Sequence, residues 1–451
     1  MRFVIIGGGP AGNSAATAAA RLGAEVTLIE RDVVGGAAHL WDCIPSKAMI
    51  ASGGAMAFVR RSVGMGLSQS AAEIDLGSMK LRIAGIEERL HRSVVSLLVD
   101  QGVRLITGRG RLAGPHQVVV DTVGGQDEEL EADAILLATG SRPRVPDWAR
   151  PDGDRVLTHR QAYPPPTLPG HLVVIGSGVT GVEFVHMFAS LGSQVTLVVS
   201  RQHVLPNKDP EVAQVLEDDF LRRGVRLLKG ARAEAIDRDD DGVAVRCDDG
   251  RVARGSHALL AVGSVPNSED LGLEAAGVES DRGYVTVNQH CQSNVRHIYA
   301  AGDLSGKLPL SSVATMQGRK IAEHVMGGHS RSHRHLDYDK AAQAVFTDPE
   351  IAEVGIAEAE AFASGRKIRV TKVPFSANAK ALINDDWRGF VKIVSDPATG
   401  VVLGGSIVGR HAAELISVIA LAVNCGLRVN DVVECLLVHP TLAESLADAA
   451  E

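Results

Sequence analysis

Paired cysteine is what this sequence most conspicuously lacks. Its five cysteines, Cys43, Cys247, Cys291, Cys425 and Cys435, are scattered over 451 residues with no C-x-x-C. That excludes a disulfide framework and a zinc site, so no metal is expected, and it suits a reducing cytoplasm. Positive charge is in deficit as well: 46 Lys and Arg stand against 54 Asp and Glu, a net charge of −8. A general attraction to nucleic acid or to anionic membranes is therefore excluded. No apolar run approaches the length of a membrane span, so no integral membrane association is expected. A core-type strand follows Met1 directly, which leaves no room for a signal peptide and adds to the expectation of a cytoplasmic protein.

What is abundant is glycine, 48 residues of it, within a chain that is 45% hydrophobic. This length allows about three domains with substantial cores. The first glycine cluster follows the strand Phe3–Ile6. Gly7, Gly9 and Gly12 form a G-x-G-x-x-G turn, an Ala-rich helix from Ser14 to Leu22 comes next, and a strand from Glu25 to Ile29 ends in Glu30. Gly7 suits the tight turn, Gly9 lets backbone approach a pyrophosphate, and Gly12 allows helix and strand to pack closely. The helix N-terminus attracts phosphate, and Glu30 is placed to accept from a ribose.

The same pattern returns at Gly176, Gly178 and Gly181, after the strand Leu172–Ile175 and before a helix over 182–191 and the strand Gln194–Val199. Here the second strand runs into Ser200 and Arg201. An acid would favour NADH, whereas Ser and Arg can bind and neutralise a 2′-phosphate, so the reading leans to NADPH. Each copy closes on an apolar strand and a small-residue turn, from Ala134 to Gly140 and from Ala258 to Gly263. The first copy, counted from Gly7 to Gly140, is longer than the second by about 46 residues. Much of that excess reads as helix, including an apolar stripe at Ile86, Leu90, Val94, Leu97 and Leu98 that is expected to pack in the core.

Taken together these stretches resemble the flavoprotein disulfide reductases, the family of lipoamide dehydrogenase, glutathione reductase and mercuric reductase. The resemblance runs the length of the chain. It rests on the two fingerprints, the segment from Cys43 to Lys47, Ala138 to Ser141 with Thr139 and Gly140, Glu183 just beyond Gly181, Ala300 to Asp303, Val345 to Glu350, and His439 to Glu444. It implies an α/β fold with two Rossmann-like domains, for FAD and NAD(P), plus a C-terminal α+β dimerisation domain. The implied boundaries are 1–145 with 269–335 for FAD, 146–268 for NAD(P) and 336–451 for dimerisation, in a homodimer. Tyr163 to Pro166 and the histidine-rich stretch 329–335 suit the junctions. The resemblance also implies roles: Asp303 binds the ribityl chain, Lys47 sits near the flavin N5 side and pairs with Glu183, and His439 with Glu444 forms an acid–base dyad.

One segment breaks the pattern. Where the family reads G-G-T-C-x-N-x-G-C-I-P-S-K, this chain keeps Gly35, Gly36 and Cys43 but has Ala37 and Ala38 in place of Thr and the first Cys, and Asp42 in place of Gly. A methyl group cannot form a mixed disulfide, so the usual thiol–disulfide exchange is excluded. Electrons then have to pass from flavin directly to a docked acceptor. The departure is similar to that of lipoamide-dehydrogenase-like NAD(P)H:quinone reductases of actinobacteria, which makes a quinone the expected acceptor. A soluble pyridine nucleotide transhydrogenase, a disulfide reductase with an unconventional partner such as Cys435, and a non-catalytic flavin-dependent binding subunit remain as alternatives. His439 serves either as proton donor to a quinone oxygen or as a relic of dimer packing.

Overall fold

In the computed structural model, residues 1–68, 72–122, 125, 127–327 and 335–451 are described. Of the junction histidines, His329 and His333 lie outside them. The chain divides into two units, one comprising 1–46, 77–144 and 264–338, the other 47–76, 145–263 and 339–451.

The first unit is built on a seven-stranded sheet. Its order is Ile298–Ala300, Ala134–Leu137, Arg2–Ile6, Glu25–Glu30, Arg104–Gly114, Gln117–Thr122 and Glu128–Glu131. The first five strands are parallel, with Phe3 opposite both Val26 and Ala134, and the last two turn back antiparallel. Parallel strands covered on both faces need continuous apolar runs, and Phe3, Val4, Ile5 and Ile6 are all buried. The helix Pro10–Arg21, starting four residues before the expected Ser14, packs its alanines on the helix Ser311–Val325. Proline tolerates that first helical position because its missing N–H would be unpaired there anyway.

The long helix Leu76–Asp100 supplies much of the excess of the first copy. Its stripe departs from the expectation of uniform core packing. Leu98 is fully buried and Val94 packs on the core, but Leu90 and Leu97 are 36% and 46% exposed. Residues 90 and 97 fall two turns apart on the same side of the helix as the buried Met79 and Ile83, so that side is covered near the start of the helix and open further along it.

The second unit holds a parallel five-stranded sheet, ordered Arg226–Lys229, Gln194–Val199, His171–Ile175, His257–Leu260 and Val156–Thr158. A three-stranded antiparallel sheet accompanies it. The C-terminal part forms an antiparallel sheet ordered Gln343–Val345, Glu350–Gly355, Val402–Gly409, Phe390–Ser395 and Arg369–Pro374, against which Ala412–Cys425 packs. The two parallel sheets repeat one atomic detail. A Cβ on Gly12 would lie 1.9 Å from the Gly7 carbonyl oxygen, and one on Gly181 would lie 1.8 Å from that of Gly176. Only glycine lets either helix start this close to its turn.

Candidate functional site

At the first turn, the Gly8 amide donates to Glu30 Oε2 at 2.7 Å and the Asp32 amide to Glu30 Oε1 at 2.8 Å. Both oxygens of the acid are thereby fixed at the strand end, beside the glycine turn, with lone pairs left to accept further donors. Gly35 and Gly36 belong to the same structure. The Gly35 amide donates to the Gly8 carbonyl at 2.8 Å, and a Cβ on Gly36 would meet the Gly9 Cα at 2.4 Å. The segment with the missing sulfur is therefore seated directly on the nucleotide turn.

After Gly36 the chain winds through a single wide π-turn, Ala38–Cys43, into the helix Ile44–Arg61. Cys43 is partly buried, and its carbonyl accepts from the Ser46 hydroxyl at 2.9 Å. Among the described residues no disulfide joins any two of the five cysteines. Cys435, named above as an unconventional partner, is exposed, its thiol donating to the Asp431 carbonyl at 3.3 Å.

The residues around Thr139 and Asp303 also converge. The Thr139 hydroxyl donates to the Asn267 carbonyl at 2.7 Å, the Asn267 side chain donates back to the Thr139 carbonyl at 2.9 Å, and the Asn267 amide reaches the Gly140 carbonyl at 3.0 Å. The Ser141 hydroxyl donates to Asp303 Oδ2 at 2.6 Å. Next to Asp303, the Gly302 amide donates to buried Gln317 Oε1 at 2.8 Å, and Gln317 donates to the Tyr338 hydroxyl at 3.0 Å. Burial pushes that phenol up to about 12, so Tyr338 stays neutral as a fixed dipole.

The second unit carries the second glycine turn. The Leu205 amide donates to the Ser177 carbonyl at 2.8 Å, so the loop holding exposed Ser200 and Arg201 folds back to the turn. A Cβ on Gly178 would meet nothing within 4 Å, and one on Gly9 in the first turn would meet only the Gly36 Cα at 3.9 Å. Open space over a helix N-terminus is the cradle that a pyrophosphate requires. Near the first cradle, buried Asn13 Oδ1 has no hydrogen-bond partner among the described residues, which leaves it to accept from a bound hydroxyl.

The second unit also brings Lys47 and Glu183 together. Lys47 Nζ lies 2.8 Å from Glu183 Oε2, with the side chains 33% and 8% exposed. Glu183 Oε1 accepts from the Phe346 amide at 2.9 Å, and the ammonium stands 4.8 Å from the Phe346 ring centroid. A buried carboxylate is tolerated here because both of its oxygens are paired.

On the same helix, Val179–Leu191, His186 and Ser190 follow Glu183 along one face. Fully buried His186 accepts at Nδ1 from Arg223 at 3.1 Å. Burial, reinforced by the Arg223 cation, holds its pKa down to about 3, so the ring is neutral. Arg223 also donates to the Ser190 hydroxyl at 2.8 Å. Arg388 pairs with Asp386 and Asp219 at 2.8 and 2.9 Å and with Asp348. Burial would raise the Asp348 carboxyl, but Arg388 and Arg61 outweigh it and keep it below the ordinary carboxylate range.

His439 and Glu444 meet as well, Nδ1 to Oε1 at 2.8 Å, while Glu444 Oε2 accepts from the Thr441 amide at 2.8 Å. The Thr441 amide and then His439 lower the Glu444 pKa. The imidazole is 72% exposed. Buried Asn378 ties this turn down, donating to the Thr441 carbonyl at 3.1 Å and the Ser445 hydroxyl at 3.0 Å while capping its own short helix.

Several of these residues were not singled out from the sequence. Phe346 lies in a quoted stretch but carried no role. Asn378 had only its preference for helix N-caps as a signal. Arg388 had none, because two of its three carboxylate partners, Asp219 and Asp348, are far away in sequence. Among the described residues no group of three or more His, Cys, Asp or Glu is placed to hold a metal, and no helix is long and apolar enough to cross a membrane.

Comparison with known proteins places this geometry in context. The sequence model for pyridine nucleotide-disulphide oxidoreductases matches residues 1–318, and that for the dimerisation domain of the same family matches 341–450. A Mycobacterium tuberculosis protein named NAD(P)H dehydrogenase (quinone) is 43% identical, over 100% of this chain and 93% of its own length. A dihydrolipoyl dehydrogenase of Zymomonas mobilis is 34% identical over 99% and 96%. The crystal structure of LpdA from Mycobacterium tuberculosis superposes with a TM-score of 0.95 at 43% identity, covering 100% and 99% of the two chains. With two dinucleotide-binding folds and a dimerisation domain in one α/β chain, this enzyme belongs to the pyridine nucleotide-disulphide oxidoreductase family, flavoprotein oxidoreductases that bind a flavin and a pyridine nucleotide.

Proposed function

We propose that the chain is an FAD-dependent NAD(P)H:quinone oxidoreductase, working as a cytoplasmic homodimer without a redox disulfide. The observation that carries this reading is Ala38: the paired Lys47 and Glu183 are retained, while the position of the attacking sulfur holds a methyl group. The name of the 43% identical Mycobacterium tuberculosis relative supports the same acceptor class.

A bound FAD would supply the two-electron chemistry that links the nicotinamide to the acceptor. Glu30 holds the adenosine ribose, and Asp303, oriented by Ser141, holds the ribityl chain. Thr139 and Gly140 form the wall beside them. Lys47 places a cation by the isoalloxazine, and Glu183 offsets the cost of keeping that ammonium partly buried. Ser200 and Arg201 receive the 2′-phosphate of NADPH, the preferred coenzyme, with NADH the weaker one. His439, its Nδ1 held by Glu444, presents Nε2 to donate a proton to a quinone oxygen. The domain boundaries 1–145 with 269–335, 146–268 and 336–451 are part of this proposal.

Anaerobic titration tests it. One equivalent of NADPH per FAD should bleach the flavin fully, and a small quinone should restore the oxidised spectrum at once, while lipoamide and oxidised glutathione should not. A need for two equivalents, with thiols appearing on reduction, would overturn the reading in favour of a disulfide relay through a second cysteine such as Cys435.

A further inference from the structure

Arg61, Asp219, Arg223, Asp348, Asp386 and Arg388 form one connected ion cluster, to which the exposed Arg222 adds a fourth cation through Asp219 at 3.2 Å. Arg388 is its hub. Asp348 is the member that lies on the same short stretch as Phe346, and the stretch has little slack. At one end the Phe346 amide donates to Glu183 and its ring lies against Lys47. At the other, Asp348 is gripped by Arg388 and by Arg61, the latter at 3.0 Å. Between them Thr347 is buried and its hydroxyl donates to the Pro349 carbonyl at 2.7 Å.

The helix Ile44–Arg61 is fastened by the same arrangement. Near its start Lys47 is tied to Glu183, and at its end Arg61 is tied to Asp348 while Arg60 donates to the Ser190 carbonyl at 3.0 Å. The lysine, the glutamate and the amide that completes the glutamate's hydrogen bonding are thus all secured from one anchor.

We propose that Asp348 is a positioning residue for the Lys47–Glu183 pair: by holding the Phe346 amide on one oxygen of Glu183 it keeps the other oxygen against Lys47. A carboxylate that loses one of its two anchoring hydrogen bonds is free to turn away from the ammonium. Lys47 faces Glu183 from its helix, and His186 follows one turn on along Glu183's own helix and is neutral. Arg60 and Arg61 at the end of the helix Ile44–Arg61, and Asp348 and Glu350 after Phe346, are the other charged groups on these stretches. The inference rests on the reading that this pair senses the flavin.

The test compares Asp348→Asn with Glu183→Gln and Asp219→Asn in flavin-loaded protein. The flavin midpoint potential is measured against pH, alongside the pH profile of anaerobic flavin reduction by NADPH. Glu183→Gln should raise the potential, because Lys47 is left uncompensated. Asp348→Asn should raise it in the same direction by a smaller amount, because the carboxylate is no longer held against the ammonium. Asp219→Asn removes the same charge from the same cluster but not from the Phe346 stretch, so both curves should stay in place even if the protein melts earlier. Arg388→Lys, which keeps the charge but cannot bridge three carboxylates, should move the potential in the same direction; this variant decides the matter if Asp348→Asn does not fold. An Asp348→Asn protein altered only in melting temperature, or an Asp219→Asn protein shifted equally, would refute the positioning role. A Glu183→Gln protein with an unmoved potential would instead remove the functional reading on which the inference stands.

Discussion

Replacing His186 with asparagine should make the protein more resistant to mild acid. The ring is fully buried, and its Nδ1 accepts from Arg223 at 3.1 Å. Its pKa is held near 3, against an ordinary value of 6.5 regained on unfolding. Between those two values the unfolded chain binds one more proton than the folded one, so folding stability falls as the pH is lowered. The loss is complete below pH 3 and absent above about 6.5. Each pH unit inside the window costs about 1.4 kcal/mol, and integration from pH 7 to pH 5 gives about 2 kcal/mol from this one residue. An asparagine oxygen can occupy the position of Nδ1 and accept the same guanidinium without titrating. Equilibrium urea unfolding at pH 7 and pH 5, at equal flavin loading, reads the difference. Asp348 contributes little in this interval because its depressed pKa places its titration lower. Other histidines, including His171 and His257, are lowered by burial too, but they are common to both proteins and cancel in the comparison. Equal losses between pH 7 and pH 5 in the two proteins would show that His186 does not stay neutral in the fold.

Other outcomes are equally specific. Arg201→Ala should lower kcat/KM for NADPH by about 1–3 kcal/mol in transition-state terms while leaving NADH nearly unchanged; equal losses for both coenzymes would remove Arg201 from the 2′-phosphate. Gly181→Ala forces a methyl group to within 1.8 Å of the Gly176 carbonyl oxygen, so it should cost at least about 1–3 kcal/mol of stability and weaken coenzyme binding, as read by thermal denaturation and titration. His439→Gln should slow quinone turnover and flatten its pH dependence if the imidazole is the proton donor, whereas an unchanged profile would leave it a packing relic. Sedimentation should give a homodimer at assay concentrations, and a fully active monomer would contradict the assembly.

Both nucleotide turns were legible in the sequence because their physics is local. Gly7 to Gly12 and Gly176 to Gly181 each compress a turn, a helix start and a strand end into a fixed spacing that tolerates little else. The meeting of Lys47 with Glu183 came from resemblance to a family, since 136 residues separate them and no periodicity links them. Arg388 has one neighbour in sequence, Asp386, but its other partners come from positions 219 and 348, and only the folded chain shows that three carboxylates share one guanidinium. In the helix Leu76–Asp100, spacing identified a helix but not which of its apolar positions face the core. Leu90 and Leu97 have the composition of core residues and the exposure of surface ones, because i, i+4 spacing defines a stripe and not what lies opposite it.

The wide turn at Ala38–Cys43 bears on how such an enzyme arises. A π-turn links residue i to residue i+5 by a backbone hydrogen bond, so positions 38 and 43 remain neighbours across a single winding whether or not both carry sulfur. A sulfur or a methyl group at position 38 is therefore carried by the same winding. On the proposed function, electron exit depends on that one side chain, while the glycine turns serve electron entry. Ala38→Cys is accordingly the shortest path back, and the yield of a 38–43 disulfide in that variant measures how much of the older chemistry the scaffold still holds.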